Sequence, residues 1–139
     1  MTRELLERST PIAEPFLHYL DIALADPAVD QRALALCAAR FAQLLGRPEL
    51  RSALPLPALS DHTVDRLASW ADQDRFGERD RVVLMLAEQF FIDPQGLGDD
   101  QVEPVRAIWG DRGLVALLLA LGLVEQYLRL LVVLEPGRQ

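Results

Sequence analysis

Apolar and polar positions follow a helical pattern along most of the chain. From Asp111 to Leu134 the text DRGLVALLLALGLVEQYLRLLVVL is interrupted after its opening turn only by Glu125, Gln126 and Arg129. A surface helix carries one apolar stripe, and a segment apolar nearly all round is how a helix reads when neighbours cover almost every face. This segment is expected to be the central helix of an all-α core. A second run of the same kind, ERDRVVLMLAEQFFI from Glu78 to Ile92, is apolar after Arg81 except for Glu88 and Gln89. It stops before Asp93-Pro94, where the proline restricts its predecessor.

Shorter elements precede and link these two. Thr10-Pro11 offers an N-cap and a first-turn proline for a helix carrying Ile12, Phe16, Tyr19 and Leu20 up to about Ala25. Asp26-Pro27 repeats the signal, and VDQRALALCAARFAQLL sets Val29, Ala33, Leu36, Cys37, Arg40 and Leu44 near one face before closing at Gly46, a C′ glycine. Three prolines in RPELRSALPLPAL, residues 47–59, make the main break, with at most a turn or two of helix before Pro55. Ser60-Asp61 caps a helix through Val64, Leu67 and Trp70 that ends near Asp72. Gly77 caps the Glu78 helix, whose acidic first turn suits the helix dipole. A shorter helix runs from about Asp100 to Trp109, with Pro104 acceptable in its first turn. Gly110 ends it, and Asp111 caps the long helix. No period-two alternation bounded by turns competes with this reading. The expectation is a single all-α domain spanning 1–139, a bundle of about six to seven helices.

Composition narrows the chemistry. The 139 residues are half apolar but only 6% aromatic, so the core is built from Leu, Val and Ala. A formal charge of -7 argues against a broad footprint for nucleic acid or an anionic membrane. Every basic residue is Arg, which excludes a Schiff-base lysine. The lone cysteine, Cys37, and an N-terminal text without a secretion-type apolar run fit a cytoplasmic protein. Gly113–Leu134 is long enough to span a bilayer. Glu125 and Arg129 fall in its middle half, where each charge costs roughly 2.5 to 3.5 kcal/mol, and their i to i+4 spacing suits a soluble helix. Two helices apolar on nearly all faces need more cover than the short ones provide, so a homo-oligomer is expected.

Few motifs carry chemistry. His18 and His62 are isolated and make no metal set. Asp72, Asp74, Gly77, Glu78 and Asp80 imitate a calcium loop, but Phe76 and Val83 stand where two oxygen ligands belong, the bidentate glutamate among them. The loop DPQGLGDD lacks the phosphate-cradling pattern, so no cofactor is expected. Cys37 reads as a small buried hydrophobe, with a reactive thiol as the other reading.

The order of elements nevertheless resembles the carboxymuconolactone decarboxylase-like, or alkyl hydroperoxidase D-like, family. The resemblance is carried by Phe76, Glu78, Arg79, LMLAE from Leu84 to Glu88, Asp93-Pro94, GDRGLV from Gly110 to Val115 and LGLVEQYLRL from Leu121 to Leu130. It implies an all-α fold, oligomers built on those helices, and an active site between the N-terminal and central helices. In the family's thiol members a C-x-x-C-x-x-x-H motif follows the glycine corresponding to Gly46. Here Arg47, Leu50 and Leu54 occupy those positions, and one cysteine excludes the two-cysteine peroxidase mechanism.

The polar residues left at family positions are Glu88 and Arg129, with Glu125 and Tyr127 close to Arg129 in sequence. One reading is structural, an ion pair of Glu88 or Glu125 with Arg129 that locks helix packing. The other is a ligand pocket in which a small organic acid docks against Arg129 beside Glu88, Glu125 and Tyr127. Three functions follow: a divergent family member without the thiol site that binds small molecules or assembles; a cofactor-free lyase or isomerase on a small acid, with Glu88 as catalytic base and Arg129 as its partner; and a one-cysteine peroxidase using Cys37.

Overall fold

A computed structural model describes residues 2–135, which form an all-helical fold. Its α-helices are α1 (Thr2–Ser9), α2 (Ala13–Ala25), α3 (Gln31–Leu44), α4 (Asp61–Leu67), α5 (Glu78–Ile92) and α6 (Asp99–Leu134). Short 3-10 turns at Pro48–Ala53, Trp70–Asp72 and Pro94–Gly96 complete it. Because α6 is broken at Gly110, the described residues hold seven helical rods. No strand occurs among the described residues.

Local chemistry sets most boundaries. Asp30 caps α3 by accepting from the Ala33 amide at 3.1 Å, and Ser60 caps α4 by accepting from the Thr63 amide at 3.1 Å. Helix α3 ends in a Schellman motif: Gly46, at φ 73°, donates to the Gln43 carbonyl, and Arg47 donates to that of Ala42. Gly110 takes φ 73° and ψ 179°, a region that only glycine occupies readily, and this turns the chain between the two rods of α6. Arg106 spans the break, donating to Asp111 at 2.7 Å, so Asp111 serves as an ion-pair partner there.

Three boundaries differ from expectation. Helix α4 stops at Leu67, and Trp70–Asp72 forms a separate 3-10 turn. Helix α2 begins at Ala13, leaving Thr10–Ile12 as a turn closed by the Ala13 amide on the Thr10 carbonyl. Pro104 lies in the second turn of its rod, because the helix starts at Asp99; its missing N–H leaves the Asp100 carbonyl outside the ladder.

The innermost helix is α3, contrary to the expectation for the long helix. Every residue from Ala33 to Ala39 is buried, as are Phe41 and Ala42, and α3 packs against both α5 and α6. Alanines at five of those nine positions let neighbours approach it from all sides. Phe41 fills the space towards α5, 5.0 Å from the Phe91 ring centroid. Helix α6 instead buries one side, Leu114, Leu117, Leu121, Val124, Leu128 and Leu131, and leaves Val115, Leu119, Val133 and Leu134 exposed. Its best 18-residue window is long and apolar enough to cross a membrane, and 39% of that window is buried inside the fold.

Candidate functional site

The residues singled out from sequence fall into three separate settings. Glu88, on the face of α5 towards α3, receives Arg40 Nε at 2.7 Å and the Trp70 indole N–H at 2.9 Å, both on Oε1. Arg40 also donates to Gln43 at 3.2 Å, and the Gln43 amide donates to the Val64 carbonyl at 2.9 Å. One polar chain thereby ties α3, α4, the Trp70 turn and α5. The side chains of Arg40 and Glu88 are only 15% and 25% exposed, so water screens the pair weakly.

Arg129 lies elsewhere. It pairs with Glu125 at 3.0 Å, one turn back on its own helix, and its guanidinium stacks over the Phe91 ring at 4.7 Å. The Arg129 side chain is half exposed, so water reaches the pair. Of the two pairs expected for Arg129, that with Glu125 forms. That with Glu88 does not form among the described residues, because Arg40 already holds that carboxylate.

Tyr127 points to a third place. A step of two residues along an α-helix turns a side chain to the far side, so Tyr127 faces away from Arg129. It is buried. Burial raises its phenol above the ordinary value, nearby Arg3 pulls it back in part, and Glu135 and Asp21 add to the rise. Arg3 itself is bound to Asp21 at 2.6 Å. Glu88, Tyr127 and Arg129 are thus not brought into one pocket.

Cys37 is fully enclosed, with Sγ 3.7 Å from the Val83 carbonyl. Burial and then the Asp80 carboxylate push its thiol far above the ordinary range, which disfavours the thiolate that peroxide chemistry needs. Both histidines are exposed. The calcium-like segment is organised by a side chain of its own: Arg81 donates to the carbonyls of Phe76 at 2.8 Å, Ala71 at 3.0 Å and Gln73 at 2.5 Å. An internal cation thus gathers the loop's carbonyl oxygens. No group of three or more His, Cys, Asp or Glu with metal-binding spacing occurs among the described residues.

Sequence reasoning missed the role of Arg40 and Trp70. The signal was present in part, since Arg40 sat on the apolar face of α3 and a charge there requires a partner. Nothing local said that the partner lay 48 residues away on α5. No protein-family model, curated protein or solved structure matches the chain.

Proposed function

We propose that the chain is a non-peroxidase assembly and small-molecule-binding protein, soluble and cytoplasmic, that self-associates through the outer face of α6. The observation that carries this is the exposure of that face: Val115 at 54%, Leu119 at 62% and Val133 at 75% fall on one side of the helix, with Leu123 and Leu130 partly exposed between them. Residues spaced by three, four or seven line one face of a helix, and an apolar stripe of that length marks a contact surface. A second copy is the favoured occupant over a bilayer. Gln126 interrupts the stripe, the Glu125–Arg129 pair borders it, and the net charge of -7 gives no attraction to anionic lipid.

Kinship with the carboxymuconolactone decarboxylase-like family is part of the proposal. It is supported by the all-helical order, by Leu84–Glu88 falling on α5, and by GDRGLV falling at the break of α6. A proton-transfer role for Glu88 is not adopted, because Arg40 and the Trp70 indole already occupy its Oε1. Light scattering at micromolar concentration tests the assembly: a multiple of 15.5 kDa is expected, reduced to the monomer mass by Leu119→Glu with the helical circular dichroism retained. A monomeric wild type refutes it.

A further inference from the structure

The extended, proline-bearing segment between α3 and α4 covers a cleft that none of the three polar settings uses. Ala35 and Ala38, one turn apart on α3, form its floor, and Leu54, Leu56 and Leu59 form its walls around about 320 Å³. The space exists because two alanines keep the helix surface low while Pro55 and Pro57 hold the covering chain straight. A space of this size falls in the range of small-molecule sites.

Arg51 stands at the rim. It also lines an adjoining, wider groove of about 540 Å³ with Arg40, Gln43 and Asp65, so this residue is shared between the apolar cleft and a groove that carries polar side chains. Among the described residues its ion pair is to Asp61 at 3.8 Å, and the Asp61 side chain is 97% exposed. So long and wet a pair is weak, and a bound anion displaces it readily. The planar N–H fork of arginine suits a carboxylate in two-point contact.

We propose that this cleft binds a medium-chain aliphatic monocarboxylate, its chain over Ala35 and Ala38 and its carboxylate on Arg51. Charge sets the class: Arg51 is the cation among the cleft's described lining residues and selects an acid over an alcohol, and the leucine walls offer no partner to a second charge. The site is independent of the α6 surface, so a monomeric protein that binds the acid retains this proposal while losing the assembly. Titration calorimetry of the full chain with octanoate provides the test. Octanoate is expected to bind, about tenfold or more weaker to Arg51→Met, while octanol binds both proteins alike. Ala35→Met, which fills the floor, is expected to abolish both when circular dichroism shows it folded. Octanoate binding unchanged in Arg51→Met, or no binding to the wild type at millimolar octanoate, overturns the proposal.

Discussion

Replacing Glu88 by Ala removes the acceptor on which Arg40 and Trp70 converge. Taking one partner from a fully buried ion pair costs about 3–5 kcal/mol. Here the side chains keep 15% and 25% exposure, so water reaches the abandoned guanidinium and the penalty falls. The indole N–H also loses a hydrogen bond to a charged group, while Trp70 is itself only half-buried. Together these give a loss of about 2–3 kcal/mol, a fall in Tm of roughly 8–12 °C for a domain of this size. Urea unfolding followed by circular dichroism measures it. Trp70 fluorescence should report the same transition, since its indole moves from carboxylate to water. Glu88→Gln, which keeps an acceptor but loses the charge, should fall between wild type and Ala. The double variant Arg40→Met/Glu88→Leu should recover part of the loss, because it removes the stranded charge and adds apolar surface. A Glu88→Ala loss below about 0.5 kcal/mol, or a coupling energy near zero in the Arg40/Glu88 cycle, would refute the view that this pair locks α3 to α5.

Other outcomes test separate parts of the structure. Gly110→Ala should cost about 1–3 kcal/mol from backbone strain alone, since a Cβ there meets nothing within 4 Å. Gly113→Ala should cost a similar amount for the opposite reason: its φ is ordinary, but its Cβ would collide with Trp109 and press on the Ala28 carbonyl at 3.4 Å; denaturant unfolding measures both. Cys37 should resist thiol-labelling reagents in the native protein and react only on unfolding, and rapid native labelling would show the helix packing around it to be wrong. Tyr127 is held neutral in the fold, so its stabilising contribution is complete below the ordinary tyrosine value near 10 and lost as pH rises through its raised folded value. Unfolding free energy should therefore decline at alkaline pH, and Tyr127→Phe should flatten the decline.

Much of the fold is readable from local pattern. Helix α5 runs over Glu78–Ile92, the interval marked by Gly77 and Asp93-Pro94, because a capping glycine and a proline stop act within a few residues of the ends they set. Gly46 and Gly110 likewise sit at positive φ where a helix was expected to end. What local pattern could not rank was which apolar helix lies innermost. The longest apolar text belongs to α6, but the alanines of α3 admit neighbours on every side, and small side chains register weakly in a hydrophobicity pattern while deciding how closely helices pack. The same limit governs the site. Glu88, Tyr127 and Arg129 all carry polar groups within apolar text, yet their pairing depends on helix rotation, and a two-residue step along α6 sends Tyr127 and Arg129 to opposite sides.

Placing a spin label on Leu119→Cys tests the outer face of α6 most directly, because Cys37 is buried and the new thiol is the one that reacts. Two copies joined along this face put their labels within about 30 Å, given a 1.5 Å rise per residue and helix axes 8–10 Å apart. Pulsed dipolar spectroscopy should show that distance, and dilution with excess unlabelled protein should remove it. Labels with no mutual dipolar coupling at micromolar protein would contradict self-association through α6.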